Sequence, residues 1–266
     1  MDLPSPLPAR SGVTRSPLAV VLGVARVAAV LVELVLGTVV VLLASAWPGR
    51  IGGRRPAVWV AWALGRLLLA LIGVRLDARH VERVRDNRGF VFFNHVSFLD
   101  APVMMALGPV RFLATAGVRR LPFLGWIAAG IGTLFVNRGD DESREAARAR
   151  LRHALADAST PVALAPEGRI GPGPGVGAFR HGAFEVAALA DAPIRLVALH
   201  YPADRLDLWH DGEWLLAPLW RLCARTGPFV VRAEPLAPVL DPAQAPPDAL
   251  AQEAQAHLDA VLLAPR

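Results

Sequence analysis

Two residues that can act together as a base and its orienting group lie five positions apart in the segment VFFNHVSFLD, residues 91–100. His95 follows a short apolar run, and Asp100 comes after an intervening turn. A histidine can accept a proton near neutral pH, and a carboxylate that binds its Nδ1 sets the tautomer and stabilises the imidazolium. Such a base would remove an acidic proton from a substrate and requires no nucleophilic side chain.

The pair can meet only if the chain bends between its two members, because positions five apart on a straight helix point about 140° away from each other. A strand that ends before Asn94 and a helix that begins near Asp100, with Pro102 in its first turn, predict such a bend. The spacing alone leaves an alternative, in which Asp100 caps the helix and His95 is a surface loop residue.

Further blocks follow in a fixed order over about residues 80–205. They are NHVSFLD (Asn94, His95, Ser97, Asp100), GTLFVNR (Gly132, Phe135, Arg138), APEGRI (Pro166, Glu167, Gly168), FRHGA (residues 179–183) and APIRLVAL (with Pro193). With these blocks the sequence resembles the glycerolipid acyltransferase family, which includes the 1-acylglycerol-3-phosphate acyltransferases.

The resemblance implies transfer of a fatty acyl group from acyl-CoA or acyl-carrier protein to the free hydroxyl of a lysophospholipid, with 1-acylglycerol-3-phosphate as the first expected acceptor. It implies no metal and no resident cofactor. In this interpretation His95 and Asp100 are catalytic. Glu167 is expected to hold an arginine or a glycerol hydroxyl, and the Gly168 turn to approach an anion. The residues expected to bind substrate are Arg138, Glu167, Gly168, Arg169 and Arg180.

The sequence departs from the family pattern in the block expected to bind the acceptor. Arg169 stands where the family usually has threonine, and Ile170 where it usually has arginine. Ala165 replaces an aromatic residue, and Asn137 replaces a frequent aspartate. The acceptor is therefore open between lysophosphatidate and another lysolipid, such as an aminolipid or a glycolipid. Transfer to water by an acyl-thioester hydrolase and a catalytically inactive lipid-binding protein are further alternatives.

After about residue 78, short apolar runs alternate with helical stretches, which predicts an α/β fold with a mostly parallel central sheet flanked by helices. The predicted helices include residues 141–157, residues 179–190 and a last helix that ends near Leu263. The predicted strands are residues 89–93, 110–116, 132–136, 161–165, 194–201 and 229–234.

Apolar residues make up 54% of the 266 residues and concentrate before residue 80. After a disordered lead (residues 1–16), two apolar runs around an arginine-rich turn predict a membrane-associated helical hairpin over residues 17–78, ahead of an acyltransferase domain at 79–266. Arg26 and Glu33 share a helix face and are expected to meet a partner helix or lipid headgroups. A signal peptide is disfavoured, because the first run is too long and carries these charges. We expect a membrane location with the active site on the cytoplasmic side.

The net charge of +5 comes mainly from arginine, which suits phosphate oxygens and anionic lipid. A basic stripe of the kind that binds nucleic acid is not evident in the sequence. The single cysteine, Cys223, excludes an internal disulfide.

Overall fold

The computed structural model describes residues 16–136, 159–171, 175–203 and 213–264. Its helices are α1 (Pro17–Ala46), α2 (Pro56–Leu71), α3 (Glu82–Arg85), α4 (Asp100–Leu107), α5 (Ala116–Arg119), α6 (Leu124–Gly130), α7 (His181–Leu189), α8 (Leu216–Cys223) and α9 (Pro247–Leu262). Its strands are β1 (Val74–Ala78), β2 (Phe90–Phe93), β3 (Arg111–Thr115), β4 (Leu134–Val136), β5 (Val162–Leu164), β6 (Ile194–His200) and β7 (Phe229–Leu240).

The strands form one sheet in the order β1-β7-β6-β2-β5-β3-β4. Strands β6, β2, β5, β3 and β4 run parallel to one another, whereas β7 pairs antiparallel with β6 and parallel with β1. The predicted mostly parallel α/β fold is therefore confirmed. The carboxyl ends of the parallel strands share one edge, where the loops of such sheets commonly build ligand sites.

The central strand β2 is buried on both faces of the sheet, which explains its uninterrupted apolar sequence. Val91 and Phe93 belong to a core formed with helices α2, α4 and α8. Phe90 and Phe92 belong to the core on the opposite face, formed with α7 and α9. The rigid end of β2 is thus the support from which the chain emerges at Asn94.

The two N-terminal helices pack against each other in antiparallel fashion. Val30 shares a core with Leu69, and nearer the other end of the pair Val41 shares a cluster with Ala57. Between these contacts, Gly37 allows a close approach, because a Cβ there would lie 2.9 Å from the Leu64 side chain. Helix α1 also contacts α6 and α8, so it is packed against the α/β part of the chain.

The outward side of α1 is apolar over its whole length. Among the described helices, α1 is the one that is long and apolar enough to cross a membrane. Its exposed large apolar side chains are Leu18, Val20, Val21, Val24, Leu31, Val32, Val35, Leu36, Val39, Val40, Leu42 and Leu43. A continuous apolar surface of this kind is typical of a site of contact with lipid or protein.

One assignment made from the sequence needs correction, and another stays untested. Residues 74–78, assigned to the end of the hairpin, form the edge strand β1, because they pair with residues 229–233 of β7. Backbone pairing in the sheet therefore separates this segment from the helical pair. The predicted helix at 141–157 lies outside the described residues.

Strand β7 continues to Leu240, although the prediction ended it at Glu234 in favour of a proline-rich connection. Proline lacks a backbone N–H and interrupts a regular ladder, and the pairing of β6 with β7 shifts register near Pro235. The Arg195 side chain bridges this region, because its Nη1 donates to the carbonyl groups of residues 236–238 at 2.6–3.3 Å. A long side chain on the neighbouring strand thus satisfies carbonyls at the irregular part of the ladder.

Arg26 connects α1 to the end of α8. Its Nη1 donates to the carbonyl of Cys223 at 3.1 Å and to the carbonyl of Arg225 at 2.8 Å. The last carbonyls of a helix lack partners within that helix and carry partial negative charge, so a guanidinium stabilises them. The positive charge of Arg26 within the apolar α1 therefore has a structural partner in the α/β part of the chain.

We expect Arg26→Met to lower the free energy of unfolding by about 1.5–3 kcal/mol, because it removes charge-assisted hydrogen bonds while preserving side-chain length. Chemical denaturation of the detergent-solubilised protein measures the loss. Arg66→Met is the matched control, since Arg66 lies exposed over the Trp62 ring at 5.6 Å and such a contact is worth about 1 kcal/mol or less. Equal losses in the two variants would contradict the assignment.

Candidate active site

The loop that carries His95 is attached to the sheet by Asn94. The Asn94 side chain donates from Nδ2 to the Leu199 carbonyl at 2.9 Å, and its Oδ1 accepts from the Leu199 amide at 2.7 Å. Through these two hydrogen bonds the Asn94 side chain continues the pairing of β2 with β6 beyond the end of β2. Asn94 is fully buried, so the loop leaves the sheet from a rigid point.

His95 and Asp100 meet as the bend between β2 and α4 predicts. The Nδ1 atom of His95 lies 2.7 Å from Oδ2 of Asp100, and the same Oδ2 accepts from the amides of Val96 at 2.8 Å and Ser97 at 3.0 Å. Asp100 is the first residue of α4, yet these bonds run back to the loop before the helix. The helix-capping alternative is therefore wrong in its geometry, because the carboxylate binds the histidine loop.

The burial of the two side chains differs in a way that suits a base and its orienting group. The side chain of Asp100 is 1% exposed and that of His95 is 31% exposed. Because an ionised carboxylate only accepts hydrogen bonds, the proton on the bonded nitrogen is assigned to Nδ1. The Nε2 atom then carries the lone pair that can accept a proton from a substrate. Ser97 stabilises the turn, since its Oγ accepts from the Leu99 amide at 3.0 Å.

Glu167 holds the backbone around His95. Its Oε1 accepts from the His95 amide at 2.8 Å, and its Oε2 accepts from the Gly177 amide at 3.0 Å. The Gly171 amide donates to the His95 carbonyl at 2.6 Å, so both backbone polar groups of His95 are bound by this segment. Among the described residues, the buried Glu167 carboxylate binds backbone amides and not an arginine side chain, while its contact with a glycerol hydroxyl stays a prediction.

The position of the Glu167 carboxylate also explains why glycine occupies positions 171 and 177. A Cβ at Gly171 would lie 2.5 Å from Oε2 of Glu167, and one at Gly177 would lie 2.9 Å from it. Burial raises the pKa of Glu167, while the amides of His95 and Gly177 act in the opposite direction. A close-fitting loop thus encloses an acidic group that positions the histidine.

Of the other residues expected to bind substrate, Gly168 and Arg169 follow the carboxyl end of β5, and Arg180 directly precedes α7. Gly168 adopts a φ of +71°, and its amide donates to the Ala165 carbonyl at 3.1 Å, so that N–H is used within the turn. Arg169 and Arg180 are exposed. Nε of Arg180 donates to the Glu167 carbonyl at 3.3 Å. Arg138 lies outside the described residues.

Tyr201 is a site residue that sequence reasoning missed. Its hydroxyl donates to Oδ1 of Asp100 at 2.5 Å. The available signal was its position directly after the buried strand β6 and its status as the sole tyrosine of the chain. Spacing could not connect it to Asp100, because 101 positions separate the two residues. Over the described ranges, three or more His, Cys, Asp or Glu side chains do not gather in a way that could hold a metal.

Comparison with known proteins finds similar sequences over the part of the chain that carries these residues. Residues 75–199 match the family model described as Acyltransferase. The chain is 38% identical over 145 residues to a lyso-ornithine lipid O-acyltransferase of Pseudomonas aeruginosa, covering 54% of each protein. It is 32% identical over 138 residues to a 1-acyl-sn-glycerol-3-phosphate acyltransferase of Neisseria meningitidis, covering 52% of this chain and 54% of that protein. The chain thus spans about half the length of the curated relatives it matches.

A solved structure extends the likeness beyond the matched segment. The 1-acyl-sn-glycerophosphate acyltransferase of Thermotoga maritima superimposes with a TM-score of 0.72, covering 92% of this chain and 95% of that one at 18% sequence identity. This likeness shows a shared fold. The resemblance seen in the sequence blocks is confirmed: residues 75–199, which carry the His95–Asp100 pair and the Glu167 turn, match the acyltransferase family model and are similar to the acyltransferases named above.

Proposed function

We propose that the chain is a membrane-associated O-acyltransferase that moves a fatty acyl group from acyl-CoA or acyl-carrier protein to the free hydroxyl of a lysolipid. The observation that carries the proposal is the 2.7 Å contact between Nδ1 of a partly exposed His95 and Oδ2 of a buried Asp100. Such a pair generates a base at Nε2. The names of the two relatives above supply the class of reaction that uses this base.

In the proposed step, Nε2 of His95 takes the proton of the acceptor hydroxyl as its oxygen attacks the thioester carbonyl carbon. A carbon–oxygen bond forms, and the tetrahedral intermediate collapses by breaking the carbon–sulfur bond. The departing thiolate takes the proton from the His95 imidazolium, so the base is regenerated. Asp100 keeps the imidazole in one tautomer and stabilises the imidazolium in between.

Glu167 supports this step through the backbone. With the amide and the carbonyl of His95 both bound, the imidazole can move only by rotation of its own side chain. The Nδ1 contact with Asp100 then removes most of that rotation. Holding the base at one position and in one tautomer increases the rate of proton transfer, since small displacements of a catalytic group lower the rate.

Arginines at the same edge of the sheet are proposed to bind the acceptor headgroup. Arg169 follows β5, Arg180 precedes α7 and both are exposed, and Arg138 follows β4 in the sequence. A guanidinium fork binds phosphate and carboxylate oxygens equally well in geometry. It therefore suits the phosphate of lysophosphatidate and the carboxylate of an ornithine headgroup, and the choice between these acceptors is a question for assay.

The membrane association is proposed from the outward face of α1. That face exposes apolar side chains from Leu18 to Leu43, and the opposite side packs on the α/β part of the chain. An acceptor and product that reside in lipid would be reached without leaving the bilayer surface. Placement of the active site on the cytoplasmic side, where acyl-CoA and acyl-carrier protein are available, is part of the same proposal.

His95→Ala should lower the turnover of acyl transfer by at least ~10²-fold, as expected for loss of a general base. Labelled acyl-CoA with a panel of lysolipids gives the rate, and circular dichroism checks the fold. His257→Ala on α9 removes another partly exposed histidine and should retain full activity. Near-normal transfer by the His95 variant would exclude the mechanism. Thioester loss to water with no lipid product in the wild-type protein would favour the hydrolase alternative.

Arg169→Ala should lower kcat/KM for the natural acceptor by about tenfold, through loss of a charge-assisted hydrogen bond, and leave the KM of the acyl donor within about twofold. Lysophosphatidate and lyso-ornithine lipid are compared as acceptors in the wild type and the variant. Arg88→Ala is the control, since Arg88 is exposed just before β2, at the opposite edge of the sheet. A change confined to the donor's KM would place Arg169 against the donor.

The full-length protein should stay in the membrane fraction through high-salt and alkaline washes, because the exposed apolar face of α1 would have to be transferred into water on release. Immunoblots of pellet and supernatant give the distribution. Substitution of Val32 and Val39 with glutamate, both exposed on α1, should shift the protein towards the supernatant. Release of the wild-type chain by salt alone would indicate a peripheral electrostatic contact.

A further inference from the structure

Tyr201 reaches the active site because β6 continues towards the helix that carries Asp100. Side chains alternate between the two faces of a strand, and Val197 and Leu199 lie in the core on the side of α4. Tyr201 follows with the same alternation and packs against that core. The two hydrogen bonds between Asn94 and Leu199 set how far the end of β6 extends relative to the His95 loop.

The two oxygens of the Asp100 carboxylate have different partners. Oδ2 accepts from Nδ1 of His95 and from two loop amides, and Oδ1 accepts from the hydroxyl of Tyr201. The carboxylate is 1% exposed, so water cannot readily replace a lost partner. A buried charged oxygen without a hydrogen bond raises the free energy of the folded protein. Each of these donors therefore helps to fix the orientation of the Asp100 carboxylate.

We propose that Tyr201 is a positioning residue of the acyl-transfer site, whose hydroxyl holds the Asp100 carboxylate in the rotation that directs Oδ2 at His95. This inference rests on the function proposed above. Tyr201 acts through Asp100, and the proton that moves during transfer stays between the substrate and Nε2 of His95. The Tyr201 hydroxyl stabilises the site most when His95 is an imidazolium. Oδ2 of Asp100 must then point at the positive charge, while Oδ1 still needs a hydrogen-bond donor.

The variant Tyr201→Phe removes the hydroxyl and keeps the ring that packs on the core. It should lower kcat for acyl transfer by about tenfold, the loss expected for a hydrogen bond to a charged group. The KM values of donor and acceptor should stay within about twofold. Thr38→Val is the matched control, because it also removes a hydroxyl with little change of shape, from α1, where Oγ1 donates to the Leu34 carbonyl. Full kcat in Tyr201→Phe would overturn the proposal.

A double-mutant cycle separates positioning from packing. Asp100→Asn should lower kcat strongly, and Tyr201→Phe added to Asp100→Asn should lower it by no more than about twofold further, since both act on one interaction. A purely structural tyrosine would give the same tenfold loss in either background, and that result would overturn the proposal. Labelled acyl product, collected over long incubations, allows the slow variants to be measured.

A readout without substrate uses the fact that the chain has one tyrosine. Incorporation of tyrosine labelled with ¹³C at Cζ yields a single side-chain resonance from the intact protein in detergent. Asp100→Asn should move this resonance, and Arg26→Met should leave it in place; an unmoved resonance in Asp100→Asn would overturn the contact. If the wild-type protein transfers no acyl group but the resonance responds, the proposed function fails while the Tyr201–Asp100 contact stands.

Discussion

The buried carboxylate of Asp100 is the group on which the site depends. It must be surrounded by donors, because an ionised oxygen removed from water costs several kcal/mol unless hydrogen bonds replace the lost hydration. Those donors come from the His95 loop and from Tyr201 at the end of β6. One charge therefore determines the conformation of a loop, the orientation of an imidazole and the contact between two parts of the sheet.

A second buried carboxylate, that of Glu167, acts on the same loop from the other side. It binds the backbone of His95 and the backbone of Gly177, so the turn after β5 and the segment before α7 close around the histidine. Asp259 on α9 extends this arrangement, since its Oδ1 accepts from the Val176 amide at 3.0 Å. The C-terminal helix, which lies beyond the segment matched by the family model, thereby helps to hold the loop that positions the base.

The N-terminal helices have a double role that follows from their composition. Their inward sides contribute Val30, Val41 and Leu69 to buried clusters, and Arg26 binds the carbonyls of residues 223 and 225, at the end of α8 and just beyond it. The outward side of α1 has no such partners among the described elements and stays apolar. The same helices thus stabilise the α/β core and present a surface suited to lipid, which is consistent with an enzyme whose proposed acceptor resides in a membrane.

The sequence by itself determined much of this protein. Alternation of short apolar runs with helices established the parallel α/β sheet, because buried strands and amphipathic helices have distinct periods. The spacing of His95 and Asp100 around a bend, together with the ordered blocks, determined the class of site. The sequence did not predict β1 or the second half of β7, because both depend on pairing. A five-residue edge strand and a proline-containing strand owe their structure to a neighbouring strand of the sheet.

Only the tertiary structure decided what Glu167 and Tyr201 do. Both are long-range partners, 72 and 101 positions from the residues they bind, and no local pattern encodes such contacts. The resemblance of the sequence blocks assigned Glu167 to substrate binding, and the fold directs its carboxylate to the backbone amides of His95 and Gly177. Tyr201 carried no motif at all. Its role depends on the pairing of β6 with β2. Phe93 at the end of β2 lies opposite Val197, so β6 runs past the end of β2 and carries Tyr201 to the Asp100 carboxylate.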